Sequence, residues 1–425
     1  MLRAVSSLNA VKASARSRAR AFACSARPSP HLQWKLPVAS LSPKNLTAAS
    51  KDSVLREVKS FDPSIPVSAS ATPPASWYLS DSFGAAEMVS VFQRTWQLAC
   101  RADQVTFPGS YVATFVGAEP IVVVRGQDMT LRAFSNVCRH HAARICEGEG
   151  VKKELVCPYH SWTYNLEGRL TKATQIKGID DFRASKVSLP SVRCDSWGPF
   201  VFVNLAPEDG TMPFQRPLAE QMAVVQHDFE VNCGGWEEGA TGWRKMHHLR
   251  RRVYEIGSNW KVYADNYLDG GYHIPFLHLG LDAELNMKSY EVSTSGSTSL
   301  QTVKSRSSRV GNHASYAYVF PNLAINKYGN WMDTNLVLPV SPDRCVVVFD
   351  WYHVDAATKK EGLLNELDAS KQIQDEDVAI SESVQSGLMS RSYDKGRYAP
   401  QHESAAYAFH SLIHQAMTSY LESEK

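Results

Sequence analysis

Short segments in which apolar and polar residues alternate follow one another from residue 110 to residue 205. Alternation with a period of two is typical of β-strands that bury one face, and glycines between such segments indicate turns. The segments are SYVATFVG, EPIVVVRG, LRAFSNV, ELVCPYH, SWTYNLEG and GPFVFVNL. They predict an all-β domain. An amphipathic helix from about residue 77 to residue 100 precedes it, with an apolar face made of Phe83, Met88, Val91, Phe92 and Trp96.

After Pro207 the pattern changes to helix-like segments such as NWKVYADNYLDG. Strand-like segments then follow, namely YEVSTS, SYAYVF, LAINKY, TNLVLPV and RCVVVFDWYHV. A long helix from about Gly362 to Met389 ends the pattern. Because a chain of 425 residues is too long for one compact core, we expect an α+β protein with one domain at 76–207 and a second at 208–425.

The first 51 residues contain nine Lys or Arg, no Asp or Glu, and many Ala and Ser. This composition is typical of an organellar transit peptide, and a disordered basic tail is the alternative. Removing the nine positive charges changes the formal net charge from +2 to −7 for residues 52–425, which argues against nucleic acid as a partner. Residues 52–75 are rich in Ser, Ala and Pro and are expected to be a linker.

Three further features narrow the class of protein. The chain has no run of about eighteen apolar residues, so no membrane span is expected. Its eight irregularly spaced cysteines are typical of a reducing compartment. The densest basic run, RKMHHLRRR at 244–252, is interpreted as an exposed loop or as a docking edge for an acidic protein.

Four metal-binding side chains lie in two short motifs, C-x-H at Cys138 and His140 and C-x-x-H at Cys157 and His160. Two thiolates and two imidazoles are the ligands of a Rieske [2Fe–2S] cluster, in which the cysteines hold one iron and the histidines the other. Zinc accepts the same ligands, but its motifs usually leave at least about two residues between the first pair. The spacing therefore favours the iron–sulfur cluster, with zinc as the alternative.

A second pair of histidines, His273 and His278, lies in NWKVYADNYLDGGYHIPFLH with Pro275 between them. Because of the proline, the first histidine is expected on a helix and the second at its frayed end or in a loop. Two histidines and one carboxylate form the facial triad of non-haem Fe(II) oxygenases. Ordinary packing explains such a pair equally well when it is taken alone, but an electron-delivering cluster in the same chain favours iron.

The third ligand is expected to be Asp377, in KQIQDEDVAISESVQSGLMS. Helical periodicity puts Asp377 on the same face as an apolar stripe, whereas Asp375 and Glu376 point elsewhere. The stripe consists of Ile373, Ile380, Val384 and Leu388. An inward carboxylate is costly unless it is paired or bound to a cation. The alternative is an aspartate at a helix end or in a salt bridge.

The two motif blocks, in this order, resemble Rieske non-haem iron oxygenase α-subunits. The resemblance runs from SWYLSDSF near residue 76 to HSLIH near residue 413, about four-fifths of the chain, and is strongest to the plastid members that act on choline. The segments that carry it are FSNVCRHHAARICEG, CPYHSWTYNLEGRLTKAT, WGPFVFVNL, NWKVYADNYLDGGYHIPFLH, FPNLAINKYGNWMDTNLVLPV and DEDVAISESVQSGL. It implies a Rieske domain followed by a helix-grip catalytic domain, an antiparallel sheet curled around a long helix.

The resemblance also implies roles for single residues. The Cys138 and Cys157 blocks match the cluster ligands, and His273, His278 and Asp377 match the ligands of the mononuclear iron. Asn266 matches an asparagine just outside the iron shell. Many members carry, three residues before the first histidine, an acid that links the two metal sites across a subunit boundary. This chain has Gly270 there, so Asp269 is the candidate and Asp265 the alternative.

The implied reaction is the hydroxylation of choline to betaine aldehyde hydrate in glycine betaine synthesis, using O2 and reduced ferredoxin. No GxGxxG motif follows a strand, so the electrons must come from another protein. A homotrimer in the chloroplast stroma is implied, with the mitochondrion as the alternative compartment. The alternatives to the function are an oxygenase acting on glycine betaine, carnitine or another N-methyl amine, and an electron carrier without oxygenase activity.

A quaternary ammonium has no hydrogen-bond donor, so its site calls for aromatic faces. Tyr316, Tyr318 and Phe320 alternate along one strand, and Trp331 lies farther along the chain in YGNWMDTN. We take Tyr318 and Trp331 as candidate substrate residues. Aromatic residues that alternate along a strand are also typical of an ordinary sheet core.

Overall fold

The computed structural model describes residues 41–206, 216–232, 246–306, 311–356, 360–365 and 367–423, all within one compact unit. Most of the predicted transit peptide therefore lies outside the described residues. Within the described ranges, no helix combines the length and apolar character that a membrane span requires.

The predicted linker is wrong over its first part, because a helix, α1, spans Ala48–Val58. Thr47 caps its first turn by accepting a hydrogen bond from the amide of Ser50. Val54, Leu55 and Val58 are buried on one face. This i, i+1, i+4 spacing of apolar residues identifies a core-facing helix despite the Ser- and Ala-rich composition.

The predicted amphipathic helix at 77–100 is divided into α2 (Ser76–Leu79) and α3 (Asp81–Ser90), and its predicted end is wrong because Gln97–Arg101 already form the first strand. Ser80 caps α3 by accepting a hydrogen bond from the amide of Phe83. The apolar side chains of these helices share a core with Trp260 and Phe409 from the C-terminal half. The predicted boundary at residue 76 therefore needs correction, since the leading helices pack on the second domain.

The first domain is all-β, as predicted. Its seven-stranded antiparallel sheet has the order β1-β10-β9-β4-β3-β2-β5, and a three-stranded sheet of β6, β7 and β8 lies beside it. The strands are β1 Gln97–Arg101, β2 Ser110–Val116, β3 Glu119–Arg125, β4 Leu131–Ser135, β5 Glu149–Val151, β6 Leu155–Val156, β7 Thr163–Tyr164, β8 Leu170–Lys172, β9 Ser191–Trp197 and β10 Phe200–Asn204.

The second domain is built on another seven-stranded antiparallel sheet, with the order β11-β17-β16-β15-β14-β13-β12. Its strands are β11 His247–Ile256, β12 Glu291–Ser295, β13 Thr298–Lys304, β14 His313–Val319, β15 Leu323–Tyr328, β16 Trp331–Ser341 and β17 Arg344–His353. Its helices are α4 Leu218–Asn232, α5 Trp260–Tyr267, α6 Ile274–Leu277, α7 Leu279–Glu284, α8 Lys360–Asn365, α9 Leu367–Leu388 and α10 Ser404–Ser423. The fold class is confirmed.

The long helix α9 has an inward face different from the predicted one. Ile380 and Val384 are exposed, whereas the buried positions of the helix include Gln374, Ser381 and Gln385. The reason is that α9 lies against polar groups: the Gln385 side chain accepts a hydrogen bond from the amide of Asn259 at 2.9 Å. A helix that packs on polar partners need not carry an apolar stripe on its inner side.

The described part of the basic run at 244–252 is not a loop, since His247–Ile256 form the edge strand β11 of the second sheet. Two of its side chains point to one carboxylate, with His248 Nε2 2.8 Å and Arg251 Nη2 2.5 Å from oxygens of Asp350. These two side chains are therefore engaged within the domain.

Candidate metal centres and active site

Two loops of the first domain repeat one backbone arrangement. The amide of Cys138 donates to the carbonyl of Ala143 at 2.9 Å, and the amide of Cys157 donates to the carbonyl of Trp162 at 2.8 Å. The fourth residue after each cysteine, Ala142 or Ser161, has a positive φ of 57° or 56°. This tight turn points the cysteine and the histidine that follows it in the same direction.

The loops bring the four predicted cluster ligands together. The thiols of Cys138 and Cys157 interact with each other, and both side chains are buried. The rings of His140 and His160 have centroids 4.7 Å apart. Their Nδ1 atoms are buried and make no hydrogen bond to any described residue. Two adjacent thiols and two buried imidazole nitrogens without partners fit the donor set of a Rieske cluster.

The side chain that supports the cluster site is Tyr164, which sequence reasoning missed. Its hydroxyl lies 3.4 Å from Cys138 Sγ and accepts a hydrogen bond from the amide of Arg139. Burial raises the pKa of the Tyr164 phenol, so the hydroxyl keeps its proton and can donate it to sulfur. The Tyr159 side chain is exposed and stacks on the His160 ring. The hydrogen bonds to the Cys157 sulfur come from backbone amides.

The second metal site begins where α5 ends. Gly270 and Gly271 both have a φ of +73°, a conformation that strongly favours glycine. His273 then precedes the one-turn helix α6 rather than lying on a helix as expected, whereas His278 follows the end of α6 as the proline predicts. A Cβ atom at position 270 would collide with the carbonyl oxygen of His402. An acidic residue therefore does not fit at position 270, and the acid of this loop is Asp269.

His273, His278 and Asp377 come together from α6 and α9, and one ligand atom from each lies within 4.8 Å of the others. His278 Nε2 is 3.0 Å and His273 Nε2 is 4.0 Å from Asp377 Oδ1. The His273 and Asp377 side chains are partly buried, and His278 is buried. Two imidazoles and one carboxylate on one side of a cavity are the donor set of the facial triad, and they fit a mononuclear Fe(II).

A carboxylate lies behind each of the two histidines. Asp269 Oδ2 is 2.6 Å from His273 Nδ1, and Glu376 Oε2 is 2.7 Å from His278 Nδ1. Such partners fix the ring orientation and make the other nitrogen a better metal ligand. The expectation that Glu376 points elsewhere is wrong, because the turn of α9 that carries Asp377 also brings its neighbour over His278.

Two other predicted residues have clear positions. The Asn266 side-chain amide donates to Asp377 Oδ1 at 2.7 Å, the same oxygen that faces the two histidines. Asp265 points into the core, where Tyr78 donates to it at 2.7 Å and His410 Nε2 lies 3.0 Å away. Among the described residues Asp265 forms no hydrogen bond to either histidine of the metal site, so Asp269 stays the prediction for the bridging acid.

The three metal-site residues line one cavity of the second domain. Its aromatic lining consists of Tyr263, Tyr267, Tyr290, Tyr316, Tyr328 and Phe349. Burial raises the pKa values of Tyr263, Tyr267 and Tyr290, so these phenols stay neutral. Among the described residues that line the cavity there is no lysine or arginine.

The structure places the candidate substrate residues Tyr318 and Trp331 outside this lining. Tyr318 is on the same strand face as Tyr316 but lies farther along β14, where it packs on Phe409 of α10. Trp331 packs on His353, its neighbour across the sheet, with ring centroids 4.6 Å apart. Alternation along a strand identified the correct face, but other elements cover these two positions.

Comparison with known proteins agrees with this geometry. The Rieske [2Fe-2S] domain family matches residues 95–183, and the family described as ring hydroxylating alpha subunit (catalytic domain) matches residues 243–419. Choline monooxygenase, chloroplastic, from Arabidopsis thaliana is 39% identical over 88% of this chain and 89% of its own length. The carnitine monooxygenase oxygenase subunit of Escherichia coli (strain K12) is 27% identical over 81% of this chain and 91% of its own.

Among solved structures, a quaternary ammonium Rieske monooxygenase in complex with L-carnitine superposes with a TM-score of 0.70. It is 25% identical, and the alignment covers 84% of this chain and 97% of that chain. The two matched domain families confirm the predicted cofactors, a Rieske cluster and a mononuclear iron.

Proposed function

The chain belongs to the choline monooxygenase family of Rieske non-haem iron oxygenases, and on that premise we propose that it hydroxylates choline to betaine aldehyde hydrate. One oxygen atom of O2 enters a C–H bond of the alcohol carbon. The other leaves as water, with two electrons and two protons supplied from outside. The aromatic cavity beside His273, His278 and Asp377 carries this proposal.

The bound metals would supply stored electrons and dioxygen activation. The chain's own residues prepare the site for them. Asp269 and Glu376 orient the two histidines, and Asn266 holds one oxygen of Asp377 so that the carboxylate keeps one orientation. The neutral phenols that line the cavity present ring faces to a quaternary ammonium, which a hydrogen bond cannot hold.

We further propose that Asp269 links the two metal sites through a neighbouring subunit in a homotrimer. Its position behind His273, 2.6 Å from Nδ1, suits a group that also receives a hydrogen bond from a cluster histidine of the next chain. The surface beside it is apolar, with Tyr272, Phe276 and Leu279 exposed. Exposed apolar side chains of this size favour burial in an assembly.

We propose reduced ferredoxin as the electron donor and the chloroplast stroma as the compartment. The donor proposal is supported by the absence of a nicotinamide or flavin motif in the sequence. Support for the compartment comes from the acid-free first 51 residues and from the chloroplastic relatives.

Dioxygen consumption by iron-replete protein with reduced ferredoxin tests the proposed reaction. Choline should stimulate uptake and yield betaine aldehyde, identified by mass spectrometry. A His278→Ala variant should retain the cluster but lose stimulation, and it serves as the control for uncoupled electron flow. Uptake that choline leaves unchanged while carnitine or glycine betaine stimulates it would refute choline as the substrate. No uptake with any amine would favour an electron carrier.

A further inference from the structure

Helix α9 brings a glutamine amide to the cavity that the metal-site residues line. Gln374 lies three residues before Asp377, so the two side chains share one face of the helix, and both line the cavity. The Gln374 side chain is only 2% exposed. A buried amide loses its hydration, and this loss is costly unless hydrogen bonds replace it. The partners of both ends of the Gln374 amide therefore matter.

Only one end of this amide has a partner among the described residues. The Tyr263 hydroxyl donates to Gln374 Oε1 at 2.9 Å, whereas Gln374 Nε2 is buried and makes no hydrogen bond to any of them. One polar end of the Gln374 amide is therefore unsatisfied.

Turning the amide around does not remove the unsatisfied end. The Tyr263 hydroxyl also lies 3.1 Å from Asn335 Oδ1, which faces it because Asn335 Nδ2 donates to Asp333, a carboxylate of the cavity lining, at 3.0 Å. A phenol has one proton for these two amide oxygens. If Tyr263 donates to Asn335, the Gln374 nitrogen can turn towards the phenol oxygen, and the Gln374 oxygen is then left without a partner.

A buried polar group without a partner in a cavity indicates the chemistry of the ligand, because a ligand that leaves it unpaired binds less tightly. A ligand hydroxyl both donates and accepts hydrogen bonds, so it can satisfy the Gln374 amide in either orientation. A methyl group can do neither. The aromatic rings of Tyr267, Tyr290 and Phe349, which also line the cavity, suit the ammonium end of the ligand.

We propose that Gln374 hydrogen-bonds the hydroxyl group of the substrate and makes the site select quaternary amines with a hydroxyl over those that end in an alkyl group. This inference rests on the proposed function and deepens it, because choline carries its hydroxyl on the carbon that is oxidised. Since Gln374 is within one helical turn of Asp377, the bound hydroxyl lies on the metal side of the cavity. Gln374 is a specificity-determining residue that acts on binding, distinct from the metal ligands.

The test compares choline with ethyltrimethylammonium, which has the same charge and lacks only the hydroxyl oxygen. Calorimetric titration of the holoenzyme without a reductant measures both affinities in the absence of turnover. The wild type should bind choline more tightly by roughly 5-fold or more, because the analogue leaves the buried amide unpaired. Gln374→Leu removes both polar ends of the amide and should abolish this preference.

Gln385→Leu is the matched control. Gln385 is a buried glutamine of the same helix, 3% exposed, and its Nε2 likewise has no partner among the described residues. It lies outside the cavity lining. Its substitution should leave the preference for choline unchanged. A loss of preference as large as that in Gln374→Leu would assign the effect to the helix as a whole and overturn the proposal.

A purely structural role for Gln374 predicts that both affinities fall together and that their ratio keeps its wild-type value, and this outcome would overturn the proposal. If Gln374→Leu does not fold, the wild type still decides, since equal affinities for choline and ethyltrimethylammonium would refute a hydroxyl-binding group. Failure of either ligand to bind the wild type would refute it as well.

These outcomes are separate from those of the proposed function, which dioxygen uptake decides. Equal affinities would end the role of Gln374 and leave choline hydroxylation standing. A preference for choline that depends on Gln374 would support the inference even when choline is not hydroxylated.

Discussion

Removing one partner of the buried Glu87–Lys261 ion pair should destabilise the protein severely. Lys261 Nζ lies 2.8 Å from Glu87 Oε1, and the two side chains are 0% and 1% exposed. Trp260 Nε1 donates to the other carboxylate oxygen at 3.1 Å. Burial lowers the pKa of Lys261 and raises that of Glu87, so each charge depends on its partner. The pair joins α3 to α5, the helix that carries Asn266.

Glu87→Gln removes the nearest counter-charge of the buried Lys261 ammonium, and such a change costs about 3–5 kcal/mol. The urea midpoint of the tryptophan fluorescence transition should fall accordingly. A double variant, Glu87→Gln with Lys261→Met, removes both charges and should recover to within about 1 kcal/mol of the wild type. Asp128→Asn breaks an exposed ion pair with Arg132 and should have a much smaller effect.

A wild-type midpoint for Glu87→Gln would refute this reasoning, because it would mean that Lys261 is neutral or hydrated in the folded protein. A double variant as unstable as the single one would also contradict it. In that case lost packing of the lysine chain against its three neighbouring rings, with Nζ 5.3 to 5.4 Å from their centroids, would dominate.

Three further predictions concern single carboxylates. Asp269→Asn should keep both metals bound and abolish turnover. Iron analysis combined with oxygen-uptake measurements checks this prediction, and near-normal activity would place the electron route elsewhere. Glu376→Gln should weaken the affinity for the mononuclear iron by about 10- to 100-fold, because His278 loses its orienting partner. Competition with a chelator measures this affinity, and the spectrum of the cluster should not change. An unchanged affinity would contradict that role of Glu376. Burial alone would raise the pKa of Asp350, but hydrogen bonds from His248 and Arg251 lower it to about 2. Because this folded-state pKa lies below the unfolded value of about 3.9, Asp350 stabilises the fold above that pH, and the contribution is lost as the pH falls towards about 2. Asp350→Asn should flatten the acid-unfolding curve in that window, and an unchanged slope would refute the assignment.

Short spacings in the sequence predicted the positions where local backbone geometry places the side chain. Each of the two motifs, C-x-H and C-x-x-H, fits one tight turn. The ligands within a motif therefore face the same way, independently of the tertiary structure. The position of His278 after Pro275 was predictable for the same reason, since one helical turn separates it from His273. A few consecutive φ and ψ angles determine where these side chains lie relative to each other.

The tertiary structure alone decided which groups surround those ligands. Glu376 contacts His278 only because α9 crosses the end of α6, and the two residues are 98 positions apart in the chain. Asp333 becomes a cavity carboxylate because β15 and β16 pair in one register, which brings Asn326 opposite it. Periodicity assigned residues to a face of a strand or helix, but which element covers that face depends on long-range packing. That is why Tyr318 lies under α10 while Tyr316, two residues earlier, lines the cavity.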